Sequence, residues 1–256
     1  MQFHDIEQNT DEWLDLRIGK ITGSSCSKVM ASPNEYTVLL IEKDSYAIAN
    51  TRTKKLLKKR YSGPLEANNA LTEMKKNDIR KCFGKPAQQL AISIAIEQLT
   101  GKRSNASNYS NEHMQRGHEQ EPIARARYEE EYFTDVLNGG FFDCGNSGCS
   151  PDGRVTNEGL IEIKSVIAPV HYANIKRGGI DPAYKWQINF NLLKTGREWI
   201  DSISYCADFP EDKRLYVHRL NRADCEDNFK QIIERENQFF TLVEEIKTNI
   251  TEQHST

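Results

Sequence analysis

A short strand that carries a carboxylate and an amine on one face constrains this chain more than any other feature. Between Leu160 and Val166 the β-branched content and the alternation Leu160-Ile161-Glu162-Ile163-Lys164 predict a β-strand. Residues two apart on a strand share a face, so Glu162 and Lys164 point together while Ile161 and Ile163 point into packing. Asn157-Glu158-Gly159, just upstream, reads as a tight turn, because Asn and Gly tolerate positive φ. The preceding segment, Ser150-Pro151-Asp152-Gly153, then folds back so that Asp152 lies beside Glu162.

Two carboxylates in one site suppress each other's ionisation unless a cation lies between them, and Mg²⁺ with its preference for hard oxygen ligands resolves the conflict. Cutting a phosphodiester needs a nucleophilic water, charge stabilisation at the phosphoryl oxygens and help for the leaving oxygen. Bound metal beside a lysine can supply all three. On these residues alone an exposed hairpin fits equally well, with Asp152 as a turn residue and Glu162 and Lys164 on a solvated face, because short motifs recur by chance.

The rest of the chain narrows the choice. At 256 residues it is long enough for one large α/β domain with a substantial core, or at most two small domains, and one is the favoured reading. Charged residues at 28% and hydrophobic ones at 38% are ordinary for a soluble protein, and no apolar run is long enough to span a bilayer. The start Met1-Gln2-Phe3-His4-Asp5 lacks the basic and apolar regions of a secretion signal, so a cytoplasmic location is expected. Six scattered cysteines without a C-x-x-C pair indicate neither a zinc site nor a disulfide framework.

The net charge of −3 is unevenly distributed. Arg52, Lys54, Lys55, Lys58, Lys59 and Arg60 form a basic block, while Glu129, Glu130, Glu131, Glu226, Asp227, Glu244 and Glu245 sit in the C-terminal half. The block is either a solvated helix face or a phosphate-tracking surface.

Pattern and punctuation predict a helix capped at Thr10 and ended by Gly19, a second from Ile21 through Met30, helix over 38–61, and loops over 64–69 and 101–110. A core helix is expected over 86–99, a long charged helix over 114–133, a helix over 182–194 and strands over 199–207 and 215–220. A C-terminal amphipathic helix over 225–250 turns Phe229, Ile233, Phe240 and Val243 inward. Strands bracketed by helices imply an α/β fold with a mixed central sheet flanked by helices.

A helix with Glu, then Asp-Gly, then Glu-x-Lys, then a helix with Gln is the order of the PD-(D/E)xK nuclease superfamily. Cys149-Ser150-Pro151-Asp152-Gly153 followed by Ile161-Glu162-Ile163-Lys164 resembles the lambda-type phage exonuclease family within it. The segment Trp13-Leu14-Asp15-Leu16-Arg17-Ile18-Gly19-Lys20-Ile21-Thr22-Gly23-Ser24 is similar to the family's N-terminal segment, which grips the 5′-phosphate of DNA. The resemblance runs from about Asp11 to Leu242 and is weakest between Met30 and Glu112, a stretch longer than its phage counterpart.

The resemblance implies a restriction-endonuclease-like core in one nuclease domain spanning residues 1–256, with 31–112 as a helical, partly basic variable region. It places metal on Asp152, Glu162 and the backbone carbonyl of Ile163, gives Lys164 the catalytic lysine role, and puts the helical acid on Glu121, in contact with metal directly or through water. Gln187 takes the place of the active-site Gln. Arg17, Ser24 and Ser150 match the 5′-phosphate pocket, where a planar guanidinium and hydroxyls suit phosphate oxygens. Taken singly, Glu121 would pair with Arg125, Gln187 would be a surface residue, Arg17 a helix C-terminal charge and Ser24 an N-cap.

The activity implied is Mg²⁺-dependent 5′→3′ digestion of linear double-stranded DNA to mononucleotides, Mn²⁺ being a possible substitute, leaving 3′ single strands for recombination. A homotrimeric ring, a single-strand annealing protein as partner and a phage or prophage origin within a bacterial cytoplasm are implied with it. The alternatives are an endonuclease or single-strand-specific nuclease of the same superfamily and, more remotely, a non-catalytic DNA-end-binding protein.

Overall fold

The structure, a computed structural model, describes residues 1–31, 36–51, 53–76, 78–104 and 112–252. In chain order its elements are β1 (Gln2–His4), α1 (Asp11–Leu16), β2 (Ile21–Thr22), α2 (Gly23–Met30), β3 (Tyr36–Glu42), β4 (Ser45–Asn50), β5 (Leu56–Tyr61), α3 (Pro64–Lys76), α4 (Lys85–Thr100) and α5 (Glu112–Tyr132). There follow β6 (Val136–Asn138), β7 (Phe141–Asp143), β8 (Ser147–Cys149), β9 (Gly153–Val155), β10 (Gly159–Ser165), α6 (Ala168–Arg177), α7 (Lys185–Thr195), β11 (Trp199–Tyr205), β12 (Leu215–Asn221) and α8 (Glu226–Glu252). The chain divides into two compact units, Met1–Ser27 with Thr100–Ile233, and Lys28–Leu99 with Glu234–Thr256.

The alternating strand becomes β10, at the centre of the first unit's five-stranded sheet, whose order is β12-β11-β10-β9-β6. β10 runs parallel to β11 and antiparallel to β9, so the sheet is mixed as expected. One face packs Ile161, Ile163, Ile203 and Tyr205 against Ala124 and Tyr128 of α5. The other packs Leu160 and Ile200 against Ile188 and Leu192 of α7 and Phe229 of α8. Leu160 shares its face with Glu162 and Lys164, so the chemical face starts as core and becomes polar further along the strand. Burying each such aliphatic side chain contributes about 1.5–3 kcal/mol. A second sheet, order β1-β7-β8-β2, completes this unit.

The β9–β10 turn differs from expectation in one detail: the left-handed residue is Thr156, at φ 52°, and not Asn157 or Gly159. A β-branched residue pays for that conformation. Its own backbone and side chain offset the cost: its carbonyl accepts from Arg197 Nη1 at 2.9 Å and its hydroxyl from the Glu158 N–H at 3.2 Å.

The second unit corrects the reading of residues 31–112 as helical. The stretch 38–61 forms the antiparallel sheet β3-β4-β5. Runs such as Val38–Ile41 and Ala47–Ala49 suit either structure, and the turns decide: Asp44 at φ 56° and Lys54 at φ 58° interrupt any helix. Residues 64–69, expected as loop, begin α3, because Pro64 occupies the first helical position, where its missing N–H costs nothing. Ile48, Tyr61, Ala67 and Leu71 form the core between α3 and the sheet. In α8 the inward stripe includes Phe229, Ile232, Phe239 and Val243, while Ile233 is 47% exposed and Phe240 half-buried. The loop expected over 101–110 lies largely outside the described residues. None of the six cysteines is in a disulfide. Among the described residues no helix is long and apolar enough to cross a membrane.

Candidate functional site

Strand β9 pairs with β10 only over Gly159–Ile161, whereas β11 follows β10 as far as Ser165. Beyond Ile161 one edge of β10 is therefore open, and Asp152 fills the first vacant ladder position. Its N–H donates to the Ile161 carbonyl at 3.1 Å, and its Oδ2 accepts from the Ile163 N–H at 2.6 Å. Gly153 follows by necessity: a Cβ there would sit 2.3 Å from Val136 Cγ1 and 2.9 Å from Ile161 Cγ1. The hairpin thus puts Asp152 beside Glu162, as the alternation predicts.

Glu162 is 1% exposed and fully engaged. Its Oε1 accepts from Lys164 Nζ at 2.6 Å and Gln187 Nε2 at 2.5 Å, and its Oε2 from Asn191 Nδ2 at 2.8 Å. The exposed-hairpin alternative is thereby excluded. Burial, then the Asp152 charge, push the Glu162 carboxyl up to about 7, against the pull of Lys164. Glu121, on α5, is likewise pushed up to about 7 by burial and then by Asp152, with Lys164 and Arg125 opposing. Burial also raises Asp152, opposed by Lys164, the Ile163 N–H and Arg125. Burial disfavours charge on Lys164, but Glu162 and Asp152 outweigh it and hold the amine above its ordinary pKa. Arg125 donates to the carbonyls of Leu137 and Asp152, at 3.0 and 3.1 Å, and so fixes the Asp152 backbone.

A second group of side chains lies along the same cleft. Thr10 caps α1 by accepting from the Trp13 N–H, and Arg17 ends that helix. Spaced four residues apart, Trp13 and Arg17 stack, with the guanidinium carbon 4.0 Å from the ring centroid. Arg17 Nη2 donates to Thr22 Oγ1 at 3.3 Å and Ser24 Oγ at 3.5 Å, and Trp13 Nε1 donates to Ser150 Oγ at 2.7 Å. Burial lowers the Arg17 pKa to about 10. Among the described residues no carboxylate pairs with it, so a half-buried cation faces hydroxyls, a setting that favours an incoming anion.

The cleft, of about 730 Å³, is lined by Glu121, Asp152, Glu162, Ile163, Lys164 and Gln187 together with Arg17, Ser24 and Ser150. The structure thus brings into one cleft every residue that the sequence assigns to the metal site and the phosphate pocket. It adds Asn191 and Trp13, which sequence reasoning left out. Each lies four residues from one of those singled out, Gln187 and Arg17, and that helical spacing was the available signal.

Among the described residues no three His, Cys, Asp or Glu side chains are gathered closely enough to hold a metal by themselves. Both Glu162 oxygens and one Asp152 oxygen face nitrogen donors of the protein itself. The donor set still fits Mg²⁺, which is commonly bound through one or two carboxylates while keeping several waters. Asp152, Glu162 and the Ile163 carbonyl supply hard oxygens, and burial, which raises all three acids, is a cost that a bound cation would offset.

Residues 12–198 match the YqaJ-like viral recombinase domain. An alkaline exonuclease from Laribacter hongkongensis is similar at 27% identity and a TM-score of 0.63, with 95% of this chain and 96% of that one covered. A structure of the same enzyme in complex with dAMP is similar at 28% identity, with the same TM-score and coverage. A phage-related exonuclease from Haemophilus somnus 129PT shares the fold, at 12% identity and a TM-score of 0.55 over 92% of this chain and 96% of that one. A comparison with curated proteins finds no match.

Proposed function

We propose, from the premise that the chain belongs to the YqaJ-like viral recombinase family and is a nuclease acting on DNA, that it is a divalent-metal-dependent 5′→3′ exonuclease of linear duplexes. The observation that carries this reading is the pairing of an acidic cluster with a carboxylate-free arginine in one cleft. An acid cluster alone suits any metal nuclease; a nearby pocket for a terminal phosphate suits one that starts at ends.

In this reading Arg17, Ser24 and Ser150 hold the 5′-phosphate, with Trp13 fixing both Arg17 and Ser150. Asp152, Glu162 and the Ile163 carbonyl hold Mg²⁺ or Mn²⁺, with Glu121 completing the site directly or through water. A bound metal lowers the pKa of its water and shields the phosphoryl oxygens. Lys164, kept cationic by Glu162 and Asp152, adds charge where the phosphorane forms. Gln187 and Asn191 keep Glu162 oriented. Mononucleotide release agrees with the dAMP held by the Laribacter hongkongensis enzyme. The 3′ single strand left behind would serve recombination through a single-strand annealing partner, in the bacterial cytoplasm, and a homotrimeric ring would make digestion processive.

Digestion of a linear duplex with a 5′-phosphate, one with a 5′-hydroxyl and a closed circle tests this. Stepwise loss from 5′-phosphorylated ends with the circle intact is expected. Cutting of the circle would assign an endonuclease instead.

A further inference from the structure

Apart from Arg52, which lies outside the described residues, the basic block expected from the sequence lies on β5, an edge strand of the second unit's sheet, and in the turn before it. Lys54, Lys55, Lys58, Lys59 and Arg60 are all exposed. Among the described residues none of the five is in an ion pair, and no acidic side chain stands between Asp44 and Glu66 in the sequence. Glu66 itself is turned to the N–H and hydroxyl of Ser62, at 3.1 and 2.9 Å. Arg60 Nη1 folds onto the Leu57 carbonyl at 2.7 Å, and Lys59 Nζ lies 5.1 Å from the Tyr61 ring centroid. Arg60 and Lys59 are thus held against their own strand, and the one carboxylate among the described residues that feels this block, Glu66 through Lys59, is bound to Ser62 and forms no ion pair with it.

Edge strands commonly carry a lysine that discourages pairing with another chain. One would serve. Here three consecutive residues are cationic, so Lys58 and Arg60 project from one face and Lys59 from the other. The turn before the strand adds Lys54 and Lys55. This concentration arises in a chain whose net charge is −3, so it is not a by-product of overall composition. Unpaired, solvated cations along an extended edge attract a linear polyanion, and each phosphate they neutralise releases condensed counterions.

We propose that Lys54, Lys55, Lys58, Lys59 and Arg60 form a second DNA-binding surface, made of residues other than those that line the catalytic cleft, that holds the phosphate backbone of the duplex without regard to sequence. The proposal rests on the reading that duplex DNA is the substrate. It assigns the surface affinity and retention on long DNA, and no part in the chemistry.

The test replaces Lys54, Lys55, Lys58 and Lys59 with Gln in the full chain. These four side chains are exposed, and an unchanged thermal melt confirms that the variant folds. Duplex binding is measured across a salt series by fluorescence anisotropy in Ca²⁺, and hydrolysis of bis-p-nitrophenyl phosphate in Mg²⁺ or Mn²⁺ reports on the cleft alone. The expected result is a salt slope shallower by roughly 2–4 and binding weaker by roughly tenfold or more at low salt, with small-ester hydrolysis unchanged. An unchanged affinity and slope would overturn the proposal, leaving the strand as an aggregation guard or a dock for an acidic protein. Equal loss of small-ester hydrolysis would also overturn it, since the residues would then act on the cleft. If the wild type binds duplex DNA with this salt dependence but does not cut it, the functional reading fails and this assignment stands; if it does not bind duplex DNA, both fall.

Discussion

Replacing Asn191 with Leu tests the idea that Glu162 is held in place by a cradle of donors. Asn191 is 1% exposed and its Nδ2 is the partner of Glu162 Oε2, at 2.8 Å, while Lys164 and Gln187 serve Oε1. Leu keeps the branching of Asn at Cγ but carries no donor, so one buried carboxylate oxygen is left without a partner, and the packing cost of the bulkier side chain does not vary with pH. A hydrogen bond to a charged group contributes about 1.5–3 kcal/mol, so turnover should fall roughly 10- to 150-fold, with residual activity because Oε1 remains held. The bond favours the ionised carboxylate, and Glu162 is pushed up to about 7 with Asp152, Lys164 and Glu121 around it. The stability penalty of Asn191→Leu in metal-free protein should therefore be small at pH 5 and grow as pH rises past 7. Urea melts across that range, run beside single-turnover digestion, measure both. A penalty that is flat with pH would refute the reasoning, because Asn191 would then contribute packing and not support to the carboxylate.

Asp152→Ala should abolish metal-dependent digestion while shifting the melting temperature by only a few degrees; retained activity in a gel assay would exclude Asp152 from the site. Gly23→Ala should impair catalysis through Asn191, because the added Cβ would lie 2.3 Å from Asn191 Oδ1. Pairing it with Asn191→Ala should recover part of the loss, and a purely additive double variant would disprove the coupling. The acids set the pH dependence of stability. Glu121 and Glu162 rise from about 4.5 to about 7 on folding, so the stability they confer is present below pH 4.5 and lost as pH rises through 7. Metal-free wild type should lose stability over that window more steeply than Glu121→Gln, and Mg²⁺ should restore more of it at high pH; parallel melting curves for the two proteins would contradict this.

The site's linear pattern was legible because strand alternation is local: β10 follows from Leu160 to Lys164, and Asp152 falls beside it once a turn intervenes. The contacts that complete the site are not local. Trp13 meets Ser150 across 137 residues, and Asn191 meets Glu162 across 29, and nothing in either segment marks its partner. Residues 38–61 were misread for a different reason. Short apolar runs such as Val38–Ile41 fit both periods, and the deciding positive-φ residues, Asp44 and Lys54, are ones whose conformation sequence does not display. In α8 the phase slipped by one residue, because Ile232 and Ile233 are adjacent, as are Phe239 and Phe240, and composition cannot say which of each pair faces inward.

The central claim is that this cleft recognises a phosphorylated DNA end before it cuts. Its most direct test is the ratio of digestion rates for 5′-phosphate and 5′-hydroxyl duplexes, in the wild type and in Arg17→Ala. Arg17 offers the only guanidinium seen to stack on Trp13 and reach Ser24 among the described residues, so the account predicts a strong wild-type preference for the phosphate. In Arg17→Ala that preference should fall by roughly 10- to 150-fold, with hydroxyl ends cut at nearly the same rate as before. Equal slowing on both ends, or no preference in the wild type, would contradict it.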